Sequence, residues 1–210
     1  MAAITARPSA SADVRELARV LSLAFYDDPP FIWMLPDDRS RERRARGLFK
    51  TILRSHALKY GCVDVALDGA AIVGGAIWLP PGHWRPTDRE QVRSLPGFIR
   101  ALGARLGPAS ELVAYMARHH PREQHWYLYA IGVDPVHQGN GVASVLLRSR
   151  LARSDEAGLP AYLESSKPEN VPLYEHFGFE VAEVLNPPKG APPLTAMWRA
   201  ASRASVCPGP

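Results

Sequence analysis

The chain has 210 residues, of which 46% are hydrophobic and 22% are charged, and its formal net charge is +4. This length allows one domain with a hydrophobic core, and the balance of apolar and charged residues excludes a disordered chain. Since no apolar run is long enough to span a bilayer and the N-terminus lacks the features of a signal peptide, we expect a cytoplasmic protein.

The cysteines and the basic residues give no sign of a metal, a disulfide or a nucleic acid. Cys62 falls in a predicted strand and Cys207 in a terminal tail, and no Cys/His spacing resembles a zinc site. The arginine-rich stretch 39–46 has no aromatic residues between its charges, which is typical of a solvated helix face. We therefore expect no metal, no nucleic acid and no membrane as partners.

The first half of the chain predicts helices around a hairpin. Ser11 or Asp13 is expected to cap the first helix, which Pro29-Pro30 ends. Asp68-Gly69 is a strong hairpin signal between two apolar runs. In chain order we predict a strand (3–6), a helix (14–25), an aromatic loop (31–36), a helix (39–59) and two strands (62–67 and 71–79).

The second half predicts a glycine turn between a long strand and a helix. Pro96 and Pro108 are expected to interrupt the helical region that precedes this strand, and Gly158 to end the helix after it. The predicted elements are a helical region (87–117), a strand (126–133), a turn (137–141), a helix from 142, a strand (161–165), a helix (169–177) and two strands (179–184 and 194–198). The order indicates an α+β fold with a mixed sheet flanked by helices, in one domain (1–199) with a flexible tail (200–210).

The turn between Gln138 and Ala143 is the strongest functional signal. The first turn of a helix has N–H groups without partners, and its dipole favours an anion. Gly139 and Gly141 permit positive φ and close approach of a ligand. A dinucleotide fingerprint would need Gly or Ala where Ser144 stands, and a P-loop would need Gly-Lys-Ser/Thr. Two interpretations of this turn therefore remain, a phosphate-binding turn and a plain helix cap.

Two motifs resemble those of a known superfamily. Val133-Asp134-Pro135, followed by Gln138-Gly139-Asn140-Gly141-Val142-Ala143, resembles the coenzyme A signature of the GNAT superfamily of N-acetyltransferases. Tyr174 with Gly178-Phe179 is similar to the second recurrent element of that superfamily. Most of the C-terminal half is also similar to the puromycin N-acetyltransferases, whereas the N-terminal half agrees only in layout. The resemblance implies the GNAT fold, with a mostly antiparallel sheet.

The resemblance also implies a binding site for acetyl-CoA as co-substrate. The backbone of the turn would bind the pyrophosphate, and the long strand would pair with the pantetheine arm and polarise the thioester carbonyl. Asn140 stands where relatives often carry Lys or Arg. The residues expected to bind the co-substrate are Ile131, Gly132, Val133, Gln138, Gly139, Asn140, Gly141, Val142, Ala143 and Asn170.

Two side chains are candidates for the reaction itself. Tyr174 is the expected general acid for the departing thiolate, because a phenol and a thiol have similar pKa values. Glu164 is expected to hold a water relay or the substrate ammonium. A plain helix-end aromatic and an edge-strand carboxylate facing water are the structural alternatives. His119, His120 and His125 show no spacing that indicates catalysis.

The acceptor site is expected where the first helix ends. Asp27 and Asp28 are predicted to attract a cationic substrate, with helix capping as the alternative. Phe31, Trp33 and Met34 are predicted to line an apolar pocket, with a role in the core as the alternative.

The function expected from the resemblance is acetyl transfer from acetyl-CoA to a primary amine of a small molecule. The amine would attack the thioester directly in a ternary complex, and puromycin or another aminonucleoside antibiotic is a candidate acceptor, which would make the protein a resistance enzyme. The alternatives are acetylation of a protein N-terminus or lysine, and a non-catalytic acyl-CoA-binding module. A monomer and a homodimer are both compatible with the sequence.

Overall fold

A computed structural model describes residues 3–201, which contain one seven-stranded sheet in the order β1-β2-β3-β4-β5-β7-β6. The strands are β1 Thr5–Pro8, β2 Val63–Asp68, β3 Ala71–Leu79, β4 Trp126–Val133, β5 Ala161–Ser165, β6 Glu180–Leu185 and β7 Leu194–Arg199. Neighbouring strands are antiparallel except β4 and β5, which are parallel. The predicted mixed, mostly antiparallel α+β fold is confirmed.

Helices cover both faces of the sheet. They are α1 Val14–Ala24, α2 Pro29–Met34, α3 Asp38–Ser55, α4 Asp88–Leu102, α5 Leu106–His119, α6 Val142–Glu156 and α7 Val171–His176. Side chains of α1 and α3 pack on one face, and those of α6 and α7 pack on the other, because successive strand residues point to opposite faces. No helix within residues 3–201 is long and apolar enough to cross a membrane.

The region around the first helix differs from prediction in two ways. Residues 31–34 belong to α2 rather than to a loop, because Asp28 caps this helix and two prolines fit its first positions, where no N–H partner is needed. The predicted side-chain cap of α1 is wrong. Ser11–Asp13 forms a short 3₁₀ turn instead, and the Asp13 carboxylate pairs with Arg7 at 2.6 Å.

The helical region before β4 is interrupted at a glycine rather than at Pro96. Pro96 lies inside α4, whereas Gly103, at φ 54°, ends that helix, and Pro108 lies in the first turn of α5. The predicted flexible tail and Cys207 fall almost entirely outside the described residues.

Three glycines bring helices close to the middle of the sheet. Gly75 of β3 and Gly132 of β4 are paired, and a Cβ on Gly132 would lie 2.8 Å from the Ala24 Cβ of α1. On the opposite face, a Cβ on Gly74 would lie 2.8 Å from Val142 Cγ1, at the start of α6. Because these three glycines have no side chains, α1 and α6 can approach the sheet closely.

Candidate active site

A gap opens where the two parallel strands separate. β4 and β5 pair only as far as Leu128 and Leu163, although β4 continues to Val133. Against β3, Leu128 is opposite Trp78 and Ala130 is opposite Ile77, so Tyr129 is an extra residue in a β-bulge. Because a bulge bends its strand, β4 turns away from β5 at this point.

The open edge of β4 presents backbone groups of Ile131 and Val133 to the gap. The N–H of Asp134 donates to the carbonyl of Val73 on β3 at 2.9 Å, and antiparallel bonding alternates along a strand. Gly132 therefore bonds to β3 as well, while Ile131 and Val133 face outward. Consistently, the outward carbonyl of Val133 accepts a bond from Gln138 Nε2 at 3.4 Å.

This register corrects the prediction for Gly132. Its backbone is used within the sheet and is not free to bind a ligand, and what it contributes is the lack of a side chain against α1. Near the fork, the point where β4 and β5 separate, the N–H that points away from β3 is that of Ile131 instead.

The glycine turn has unpaired N–H groups, as the sequence predicts. Gly139 and Gly141 have φ values of 78° and 76°. Gly141 is the N-cap of α6 and supplies no side-chain cap, and within residues 3–201 the N–H groups of residues 139–144 have no backbone partner. Asn140 is exposed. A diphosphate fits this turn, since it needs several N–H donors at the positive end of a helix.

Taken together, the turn and the strand edge fit acetyl-CoA. The turn offers donors to the diphosphate, and the edge of β4 offers an extended partner to the amides of the pantetheine arm. Asn170, also predicted to contact this arm, lies exposed at the start of α7 without a side-chain bond that caps the helix. Within residues 3–201, no three His, Cys, Asp or Glu side chains converge as metal ligands.

Tyr174 lies in α7 beside a buried aspartate. The residue is 6% exposed, and burial, followed by the charge of Asp28, raises the pKa of its hydroxyl, which keeps the phenol protonated at neutral pH. Asp28 accepts bonds from Ser166 Oγ and from the N–H of Phe31, although burial raises the pKa of its carboxyl. Asp28 thus joins the start of α2 to the end of β5, next to the gap.

The other residues predicted to bind the substrate amine lie in different environments. Asp27 is exposed and pairs with Lys167 at 2.7 Å. Phe31 stacks on Phe49 in the core at a centroid distance of 5.3 Å, which favours its alternative role in packing. Trp33 is partly buried beneath the guanidinium of Arg105, 4.7 Å from the ring centre.

Glu164 is the first residue of β5 beyond its pairing with β4, and its side chain is only 2% exposed. The alternative of an edge carboxylate facing water is wrong, because β5 lies between β4 and β7. Burial and then the charge of Glu164 raise the pKa values of the Tyr127 and Tyr162 hydroxyls. Glu164 Oε1 has no hydrogen-bond partner within residues 3–201. A buried carboxylate with a free oxygen at the fork is suited to binding a proton or a cation.

Two histidines complete this cluster, although their spacing in the sequence indicates no catalytic role. His120 and His125 are buried, with their Nε2 atoms 3.0 Å apart, and His120 Nδ1 lies 3.8 Å from Glu164 Oε1. Trp84 stacks on His120 with a centroid distance of 3.8 Å. A spacing of five residues across Pro121 matches neither helix nor strand period, so only the fold brings the two rings together.

Comparisons with known proteins find similarity to acetyltransferases. The profile described as the acetyltransferase (GNAT) family matches residues 21–179. The chain is 28% identical over 180 residues to an uncharacterised N-acetyltransferase of Schizosaccharomyces pombe, covering 80% of this chain and 70% of that protein.

Solved structures of acetyltransferases share the fold. One from Corynebacterium glutamicum, described as histone acetyltransferase HPA2 and related acetyltransferase, has a TM-score of 0.75 and 27% identity, covering 98% of this chain and 100% of that one. The Drosophila melanogaster polyamine N-acetyltransferase, which forms N-acetylagmatine, has a TM-score of 0.62 and 16% identity, covering 94% and 100%. At that identity the second likeness shows the fold alone.

Proposed function

The chain belongs to the GNAT family of acetyltransferases and is an N-acetyltransferase, and from that premise we propose that its acceptor is a primary amine of a small aromatic molecule. Aminonucleoside antibiotics such as puromycin are the acceptors to test first, which would make the protein a resistance enzyme. The proposal rests above all on Glu164, a buried carboxylate among phenols at the fork of β4 and β5.

Different residues of the site would have different roles in the reaction. Acetyl-CoA, the family's co-substrate, supplies a thioester that an amine attacks, so that a C–N bond forms and the C–S bond breaks. Ile131 and Val133 would bind the pantetheine arm, and the N–H of Ile131 would polarise the thioester carbonyl. Glu164 would orient the amine and accept its proton, and Tyr174 would protonate the departing sulfur.

The surroundings of Glu164 favour a small aromatic amine over a protein segment. Its neighbours Tyr127, Tyr162 and His120 are aromatic, and Trp84 covers His120. An α-amine with a pKa of about 8 is partly neutral near pH 7 and can be used with a weak base, whereas a lysine amine near 10.4 needs far more assistance. The buried position of Glu164 would also hinder the approach of a folded protein.

A panel of amines incubated with acetyl-CoA tests the proposal through thiol release. The panel should contain puromycin, simple arylalkylamines, agmatine and peptides with free N-termini or lysines. Preferred turnover of the small aromatic amines is expected. Faster turnover of the peptides would favour the alternative of protein acetylation. Calorimetric binding of coenzyme A without turnover of any amine would favour a non-catalytic acyl-CoA-binding module.

A further inference from the structure

Two hydrogen bonds connect the backbone of Glu123 through His125 to His120, and His120 in turn lies beside Glu164. His125 Nδ1 lies 2.6 Å from the carbonyl oxygen of Glu123. A carbonyl only accepts, so His125 Nδ1 carries the hydrogen. Burial lowers the pKa of His125, with an opposing contribution from the bond to Glu123, and this keeps the ring neutral.

The tautomer of His120 follows from that of His125. A neutral imidazole with its hydrogen on Nδ1 has a lone pair on Nε2. Since the two Nε2 atoms are 3.0 Å apart, the hydrogen between them belongs to His120. When His120 is neutral, its Nδ1 is therefore a bare acceptor.

This bare acceptor faces a carboxylate oxygen. His120 Nδ1 and Glu164 Oε1 are 3.8 Å apart, and each of their side chains is 2% exposed. Without a proton, two acceptors repel each other in a buried site. A proton on either atom makes the contact attractive, as a carboxylic acid that donates to imidazole or as a carboxylate beside imidazolium. The pair is thus built to take up one proton.

We propose that Glu164 and His120 act as a dyad in acetyl transfer, with Glu164 removing the amine proton and His120 receiving it, and with His125 as the positioning residue that fixes the tautomer of His120. The inference rests on the proposed function. The amine nitrogen bonds to the acetyl carbon, the C–S bond breaks, Tyr174 protonates the sulfur, and the amine proton ends on His120 Nδ1.

The other ionisable groups around the dyad do not compete for this proton at neutral pH. Tyr127 of β4 and Tyr162 of β5 have raised pKa values, through burial first and the charge of Glu164 second. The pKa of Tyr129 is also raised, to about 12, although this residue is 41% exposed. Two further carboxylates act from the edge of this cluster. The charge of Glu183 contributes to the raised pKa of Tyr162, and the charge of Glu123 opposes the lowering of the pKa of His125.

Long-range ¹H–¹⁵N spectra of the histidine rings test the tautomers in the whole protein, without substrate. His120→Asn and His125→Asn variants assign the signals. The expected result is Nδ1–H on His125 at all pH values and Nε2–H on His120 when the dyad is unprotonated. An Nε2–H tautomer of His125 would overturn the proposal.

The pH dependence of kcat, measured with an accepted amine, tests the proton transfer. In His120→Asn an amide near the position of Nδ1 can donate to Glu164 but cannot take its proton. We expect kcat to fall about 100-fold, the acid limb to move to lower pH, and KM for acetyl-CoA to stay unchanged. His119→Asn is the matched control, because His119 is exposed and bonds only within α5.

The outcomes separate this inference from the proposed function. An unchanged pH profile in a folded His120→Asn variant, with wild-type turnover of small amines, would overturn the dyad and leave the function standing. The absence of turnover of any amine by wild-type protein would overturn the proton transfer together with the function, and the ring spectra would then decide whether the dyad exists.

Discussion

Replacement of Gly141 by alanine separates backbone strain in the turn from contact with a diphosphate. Gly141 has φ +76°, and a Cβ built there meets no atom within 4 Å. The cost to the fold is therefore only that of a left-handed L-residue, about 1–2 kcal/mol of the free energy of unfolding. The same Cβ would stand beside the first N–H groups of α6, where the diphosphate is expected to bind.

Gly158→Ala is a matched control at the other end of the same helix. Gly158 has φ +63°, and its Cβ would also meet nothing within 4 Å. Both variants should lose similar stability in urea unfolding. Only Gly141→Ala should weaken coenzyme A, raising Kd at least about tenfold, which corresponds to about 1.4 kcal/mol.

Isothermal titration with coenzyme A and with pantetheine, which lacks the diphosphate, completes the design. Gly141→Ala should weaken the first ligand and leave the second unchanged. Equal affinity of wild type and Gly141→Ala for coenzyme A would refute the placement of the diphosphate at this turn. An equal loss in Gly158→Ala would show that strain in α6, rather than contact, controls binding.

Three other variants test the acid, a partly exposed ion pair and a buried one. Tyr174→Phe should lower kcat about 100-fold with little change in either KM, and full activity would contradict its role as acid. Burial raises the pKa of Glu90, but bonds from Lys59 and other neighbours outweigh it and bring the value to about 2. Because a lowered carboxyl pKa stabilises the fold above the unfolded pKa, Glu90→Gln should lose about 1–2 kcal/mol at pH 7, and chemical unfolding should show the difference disappearing towards pH 2. Arg150→Met leaves Asp64, its buried partner at 2.8 Å, unpaired, so urea unfolding should show a loss of about 3–5 kcal/mol that Asp64→Leu in the same chain largely restores.

Local signals predicted the strands around the site well. The ends of β3, β4 and β5 agree with prediction, because each strand is a run of apolar residues bounded by turn formers. The prediction of α2 failed for a physical reason. A Pro-Pro pair ends one helix but also suits the first turn of the next, and only the neighbourhood of Asp28 decides which occurs.

The chemistry of the candidate site was only partly predictable. Glu164 and Tyr174 were found through a resemblance, but burial of Glu164 depends on the order of strands, which no local pattern contains. His120 and His125 became part of the site only through their distances to each other and to Glu164. Which residues of β4 form backbone hydrogen bonds with β3 also depends on the partner strand. This alternation directs the backbone groups of Gly132 towards β3.

The bulge at Tyr129 means that the cleft originates in a single inserted residue. Leu128 opposite Trp78 and Ala130 opposite Ile77 are partners on both sides of the insertion, so a chain lacking Tyr129 would keep the same partners in an uninterrupted ladder. The bend that parts β4 from β5 would then be missing. Whether a gap lies between β4 and β5 would thus depend on one residue, while the partners of β3 and β4 on both sides of it stay the same.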